Sequence, residues 1–202
     1  QIHPLQVTTE ITVQNISDGI TLQQEIRKKG EGAYSPLGQK PVKQTNVQTV
    51  FPVQEICLWE PENPHLYEIR TSLWKNGEMI DARVDITGFR EAGFRKDGFY
   101  LNGKKLRLRG LNRHQSYPYV GYAAPASMQI FDADILKKEL GVNAVRTSHY
   151  PQSQDFIRRC DEIGLLVFTE FPGWQHIGDE EWKRQAVQNL KEMIVQYRNH
   201  PS

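Results

Sequence analysis

Cysteine is nearly missing from this chain: 202 residues hold only Cys57 and Cys160. Neither lies in a CxxC or CxxH pattern, which argues against a disulfide scaffold and a structural zinc site and leaves two buried free thiols as the reading. Charge of one sign is also lacking. The formal net charge is +1, with 25 basic against 24 acidic side chains, so the basic excess of a nucleic-acid-binding domain is absent. No apolar run approaches the roughly 18–20 residues of a membrane span, and mean hydropathy is -0.60. The opening Gln1-Ile-His-Pro-Leu5 has no basic stretch leading into an apolar one, so the sequence offers no secretory signal. Compartment stays undecided between cytoplasm and periplasm.

Residues 1–92 read as all-β. Val7 to Val13 is rich in β-branched residues, and Asn15 to Gly19 supplies a turn. Ile20, Leu22 and Ile26 share one face of the next segment. Lys28 to Lys43 is broken by glycine and proline and reads as a loop or irregular edge. Val47, Thr49, Phe51 and Val53 alternate. After a proline-rich connection from Trp59 to Tyr67 come Tyr67, Ile69, Thr71 and Leu73, then Asn76-Gly77, then Ile80, Ala82, Val84 and Ile86. Asn-Gly between alternating runs is a strong hairpin signal. Six or seven short strands at this spacing predict an immunoglobulin-like sandwich.

Residues 93–202 change character. A second Asn-Gly hairpin turns at Asn102-Gly103, and its second arm, Leu106 to Leu111, runs into Asn112-Arg113-His114. Ser127 reads as the cap of a helix carrying Met128, Phe131, Ile135, Leu136 and Leu140, closed by Gly141. Val142 to Val145 is an apolar strand ending in Arg146, Ser148, His149 and Tyr150, with Pro151 forcing the chain out. Ser153 caps the next helix, with Phe156, Ile157 and Cys160, and Gly164 ends it. Leu165 to Phe168 forms a further strand, finishing at Thr169-Glu170. Asp179 opens a last helix with Trp182, Ala186, Leu190, Ile194 and Tyr197 as its inner stripe.

Alternating strands and helices predict a parallel sheet, and right-handed crossovers bring the strand ends to one face. Arg113, His114, Arg146, His149, Glu170 and His176 are thereby expected to converge. Arg146 and His149 could alternatively pair with a neighbouring carboxylate and cap the sheet. A closed barrel takes about 250 residues, so this half is either a small open sheet or part of a larger barrel.

Leu108-Arg-Gly-Leu-Asn-Arg-His114, Asn143-Ala-Val-Arg-Thr-Ser-His-Tyr-Pro151, Asp161 to Phe168 with Glu170, and Trp59 to Tyr67 together resemble glycoside hydrolase family 2, which includes β-galactosidases, β-glucuronidases and β-mannosidases. The resemblance implies an immunoglobulin-like sandwich over 1–92 and the first part of a truncated (β/α)8 TIM barrel over 93–202, about three β/α units. It implies a retaining exo-glycosidase whose two catalytic glutamates lie beyond Ser202, so the chain alone is expected to be inactive. It makes Arg113, His114, Arg146, His149, Glu170, Trp174 and His176 the substrate-side residues. Arg146 would keep the nucleophile ionised, His114 and His149 would donate to sugar hydroxyls, and Glu170 would orient Arg146 or His149. Trp174 would offer a flat face to a sugar ring or pack inside.

The run Trp174-Gln-His176 lacks the carboxylate with which some relatives bind magnesium, so no metal site and no cofactor are expected. A zinc triad of His114, His149 and His176 is the competing reading. Asn112-Arg-His114 points to the galactosidase branch, with glucuronidase, mannosidase or a non-catalytic carbohydrate-binding module as alternatives. The expected partner is a β-galactoside or related carbohydrate, with self-association through unpaired strand edges a hazard.

Overall fold

The computed structural model describes residues 6–53 and 55–202; the opening Gln1 to Leu5 lies outside it. Two compact units emerge, the first running up to Cys57 and taking in His65–Phe89, the second made of Leu58–Pro64 and Arg90–Ser202. No helix is long and apolar enough to cross a membrane, among the described residues.

The first unit is built from β1 (Gln6–Thr12), β2 (Thr21–Lys28), β3 (Ser35–Pro41), β4 (Asn46–Pro52), β5 (Tyr67–Lys75) and β6 (Glu78–Thr87). Strands β1 and β4 pair as one antiparallel sheet, and the other has the order β3-β2-β5-β6. The proline-broken stretch becomes β3, an edge strand whose register slips between Gln24 and Glu25, as proline confines a strand to an edge. Leu22, Val13, Ile20, Val42 and Val47 form one apolar cluster; Val7, Ile26, Tyr67 and Ile69 form another. Gln24 is buried, yet bonded through both amide atoms: Oε1 accepts from Thr49 at 2.7 Å and Thr9 at 3.1 Å, and Nε2 donates to Thr71 at 3.0 Å. A buried amide so satisfied avoids the desolvation penalty of an orphaned one.

Strand β6 departs from the alternation. The turn at Asn76 and Gly77, both left-handed with φ 53° and 83°, starts the pairing Lys75↔Glu78 and Trp74↔Met79. Continued evenly, it would set Leu73 opposite Ile80 and Ile69 opposite Val84, apolar on apolar. A bulge between Leu73 and Trp74 instead pairs Leu73 with Asp81 and Ile69 with Asp85. One extra residue moves a strand's whole side-chain set to the other face. Ile80, Ala82, Val84 and Ile86 therefore lie exposed on the outer face beside Arg70 and Glu68, not in the sandwich core.

In the second unit β7 (Ala92–Arg95), β8 (Gly98–Leu101) and β9 (Lys104–Leu106) form a small antiparallel sheet turning at Asn102 and Gly103. The predicted continuous arm from Leu106 to Leu111 is two strands, because the chain leaves the hairpin at Arg107 to join a new partner. Asn143 makes the join: its Nδ2 donates to Arg107 O at 2.9 Å, its Oδ1 accepts from Arg109 N at 2.7 Å, and its backbone N donates to Arg109 O. There follow β10 (Gly110–Arg113), α1 (Ala126–Asp134) with a π-helical turn at Ile135–Glu139, β11 (Ala144–Thr147), α2 (Gln154–Ile163), β12 (Leu166–Phe168) and α3 (Glu180–Tyr197). The sheet is parallel with order β10-β11-β12.

Caps fall where helix ends need acceptors and donors. Ser153 accepts from Asp155 N, Asp179 accepts from Trp182 N, and Gly164 ends α2 at φ +72°. Ser127 is inside α1, which Pro125 starts without a side-chain cap. The buried face of α1 is Gln129, Ala133 and Leu136, while Phe131 and Leu140 are exposed. Helix α3 buries no residue; Leu190 and Ile194 of the expected stripe are exposed, and Trp182, Ala186, Asn189, Met193 and Tyr197 are its half-buried positions. Phe156, Ile157, Cys160, Leu165, Val145 and Ala133 form the core between sheet and helices. Trp59 belongs to this unit and is wholly buried, its Nε1 donating to Asp161 O at 2.8 Å. Cys160 is buried, whereas Cys57 is exposed rather than buried.

Candidate functional site

The parallel register fixes what faces what. Asn112, Arg146 and Phe168 are mutual partners across β10, β11 and β12, so their side chains share one face of the sheet. Arg113 and Thr147, one residue on, share the other. The first face carries an open hollow of about 360 Å³ lined by Gly110, Asn112, Ala144, Arg146 and Phe168, with Leu108 at its side.

At the C-terminal edge of that hollow sits a three-part cluster. Arg146 Nη2 stands 2.8 Å from Glu170 Oε2, an ion pair whose N–H vectors are off line for a hydrogen bond. Glu170 Oε1 lies 3.1 Å from His149 Nδ1, and Arg146 Nη2 is 3.2 Å from the same nitrogen. One nitrogen cannot accept from the guanidinium and donate to the carboxylate at once. Donation to a charged acceptor is the stronger bond, so Nδ1–H on Glu170 wins, and Nε2 is left to accept, or to donate once the ring is protonated. Thr147 sets the carboxylate in place: buried, its Oγ1 accepts from Glu170 N at 2.9 Å and donates to Phe168 O at 3.4 Å. The Ser148–His149 peptide bond is cis.

Aromatic rings surround the cluster. Trp174 stacks on His149 with centroids 4.9 Å apart and planes 22° from parallel. His114 meets His149 edge-on at 5.3 Å and contacts Tyr150 at 5.9 Å, and Tyr122 meets Tyr150 at 5.6 Å. Tyr150, made more basic by burial and its contact with Tyr122, stays a phenol at neutral pH. Trp174 is exposed, so it takes no buried packing role.

Of the seven expected residues, five come together: His114, Arg146, His149, Glu170 and Trp174. His176 does not; it packs edge-on against Trp182 at 5.6 Å. The three histidines of the zinc reading are thus not gathered, and among the described residues no group of three His, Cys, Asp or Glu could hold a metal ion.

Arg113 is the larger correction, for it points into the layer beneath the helices. Its guanidinium donates to Asp132 Oδ2 at 2.6 and 2.8 Å, to Gln129 Oε1 at 2.7 Å and to Gln152 Oε1 at 2.5 Å, and lies 4.0 Å from the Phe156 ring centroid. Strand alternation puts Arg113 on the face opposite Asn112 and Arg146. Its signal in the sequence was the polar pair Gln129 and Asp132 on the helix face that also carries Ala133 and Leu136. The Arg113 backbone O accepts from Gln152 Nε2 and Ser148 N, so the same residue anchors both ends of the loop that carries His149. Asn112 and Phe168 went unread as lining residues, although a residue in register with Arg146 must share its face.

Tyr117 closes this buried network with a short hydrogen bond to Asp132. Burial first, and then the Asp132 carboxylate, push its phenol up to about 12. A folded value above the unfolded one near 10 means that the stabilisation is complete below pH ~10 and lost as pH rises towards 12. Native protein and Tyr117→Phe should therefore show the same phenolate absorbance at 295 nm near pH ~10.5, and differ by about three quarters of a tyrosine's phenolate when unfolded in urea. A full tyrosine's difference in the native state at that pH would contradict the network.

Parallel β/α units with charged and aromatic side chains gathered where the strands end define an α/β fold, whose strand ends are the usual place for ligands. The chain belongs to glycosyl hydrolase family 2: residues 3–90 match the family's model and residues 93–202 match its TIM barrel domain. A β-galactosidase of Thermoanaerobacter pseudethanolicus is 50% identical over 98% of this chain, and one of Thermoanaerobacterium thermosulfurigenes is 58% identical over 81%. The chain spans 27% and 22% of their respective lengths. Among solved structures, apo Bacteroides uniformis β-glucuronidase 3 aligns with a TM-score of 0.85 at 33% identity, covering 97% of this chain and 24% of that one. The architecture is accordingly an immunoglobulin-like domain with TIM-barrel-domain sequence after it.

Proposed function

We propose that this chain forms part of a retaining exo-β-glycosidase acting on terminal β-galactosides, with residues 1–92 as the sandwich and 93–202 as the first three β/α units of an incomplete barrel. The observation that carries the reading is the Arg146–Glu170–His149 cluster at the strand ends, covered by Trp174. Val167 N donates to Ser202 O at 2.8 Å, so the sheet already gains a further neighbour beside β12 at that point. A fourth strand leading out from Ser202 is where the acid/base glutamate is expected, with the nucleophile on a later strand.

Retention requires two carboxyls about 5–5.5 Å apart, one attacking the anomeric carbon and one protonating the leaving oxygen. Glu170 is assigned neither role, since its two oxygens already face Arg146 and His149. It orients them instead: Arg146 supplies positive charge beside the nucleophile and keeps it ionised, while His149 and His114 hold sugar hydroxyls and the exposed Trp174 offers a stacking face. The galactosidase branch is favoured over the glucuronidase branch by identity of 50% and 58% to the two β-galactosidases against 42% and 38% to two putative β-glucuronidases of Formosa agariphila.

The test has two arms. The chain alone should leave o-nitrophenyl β-galactoside intact; turnover by pure 202-residue protein would overturn the assignment of both glutamates to later segments. The protein encoded by the continuous reading frame should hydrolyse the galactoside at least tenfold faster than the matching glucuronide or mannoside. Equal or reversed rates would overturn the galactoside reading, and no hydrolysis at all would return the chain to a carbohydrate-binding role.

A further inference from the structure

The bulge that turns β6 over leaves it with an unusual edge. It is a ten-residue strand at the end of its sheet, and among the described residues nothing pairs with its far side. Its outer face shows Ile80, Val84 and Ile86 at 51%, 48% and 46% exposure, an apolar stripe on a strand that elsewhere alternates with Asp81, Arg83 and Asp85. Of the usual protections of a sheet edge, β6 has a bulge near its start and charges at Glu78, Asp81, Arg83 and Asp85, but neither lysine nor proline, and its charges are of both signs.

We propose that β6 pairs with β6 of a second copy of this chain, antiparallel about a two-fold axis at Ala82, joining two four-stranded sheets into one. The backbone identifies the residues that would make the ladder. Ala82 N donates to the side chain of Asp81 at 2.8 Å, so this amide points away from β5, and by alternation on the regular side of the bulge those of Val84 and Ile86 do too.

Three nearby registers then bring outward-pointing residues opposite one another, and charge chooses between them. Centring on Arg83 would oppose Arg83 to itself and Asp81 to Asp85, like charge on like, which is destabilising. Centring on Val84 pairs Arg83 with Asp85 but leaves Met79 and Ile80 beyond the partner strand. Centring on Ala82 opposes Asp81 to Arg83 and Arg83 to Asp81, sets Ile80 against Val84 twice, and uses the strand from Glu78 to Ile86. The strand is thus self-complementary in charge and in apolar contact, as an isologous interface must be. Asp81 would exchange its bond to Ala82 N for Arg83 of the second copy, and Arg83 would exchange its own-strand partner Asp85.

Sedimentation equilibrium of the full chain in reducing buffer, which keeps the exposed Cys57 from cross-linking copies, decides the matter. The expected mass at high micromolar concentration is twice the 23.4 kDa of one chain. Ala82→Pro removes an outward amide without touching the bonds to β5 and should return the mass to that of one chain with unchanged circular dichroism. Arg83→Asp should raise the dissociation constant at least tenfold, and Asp81→Arg combined with Arg83→Asp should recover most of it. A wild-type monomer, or a dimer that survives Ala82→Pro, would overturn the proposal. Failure of the charge swap to recover association would overturn the Ala82 register.

Discussion

Arg113→Ala should lower the stability of the second unit by about 3–5 kcal/mol, the range found when one partner of a buried ion pair is removed. The side chain is 5% exposed and Asp132 is 22% exposed, so the carboxylate left behind is largely out of water. Gln129 and Gln152 would lose their donor at the same time, each leaving a buried acceptor that costs roughly 1–3 kcal/mol when unmade. The part of the loss due to charge rather than volume is separable. Arg113→Met keeps contact with Phe156 but still orphans Asp132, so it should remain strongly destabilised, and adding Asp132→Asn should recover part of the loss. Urea denaturation followed by fluorescence of the buried Trp59 reads the effect, as a midpoint lower by more than ~1 M for a slope of about 1–3 kcal/mol/M. An Arg113→Ala midpoint within a few tenths molar of wild type would mean that water reaches the network freely.

That residue also marks the limit of what the chain's order of residues reveals. Most strands and turns and several caps were legible because they depend on local chemistry: Asn-Gly at both hairpins, Ser153 and Asp179 at helix starts, Gly141 and Gly164 at helix ends, whereas Ser127 proved not to cap α1 and the proline-broken stretch proved to be β3. So was the gathering of Arg146, His149 and Glu170, which needs only that parallel strands end on one side. Arg113 was misread because a buried arginine and a ligand-facing one look alike in a single sequence. Only the register, one residue away from Asn112, separates them. The same kind of one-residue decision hid the flip of β6, where a bulge rather than composition sets the exposed face. His176 fell outside the cluster because Gly173, at φ +145°, and Trp174, at φ +41°, redirect the loop before it arrives. On α3 an apolar periodicity wider than its covered face made Leu190 and Ile194 look internal.

On the β-galactosidase reading proposed above, Arg146→Ala in the longer protein should lower kcat/KM on a β-galactoside by roughly 10²–10³-fold, the cost of removing one preorganised group that stabilises charge in a transition state. Its side chain is 44% exposed and takes no part in the core, so the unfolding midpoint should stay within experimental error of wild type. The cluster geometry adds a sharper expectation. Arg146 and His149 both depend on Glu170, so Glu170→Gln should also be slow, and the double variant Arg146→Ala/Glu170→Gln should be little slower than Arg146→Ala alone. Groups that act as one unit give such non-additive losses, whereas independent ones multiply. Arg146→Lys tests the geometry: a lysine retains the charge but on a shorter side chain without the planar guanidinium, whose single Nη2 faces both His149 Nδ1 and Glu170 Oε2, and recovery should be partial. Full recovery by lysine would reduce Arg146 to a point charge, and multiplicative losses in the double variant would show that Glu170 serves the sugar directly rather than through its two partners.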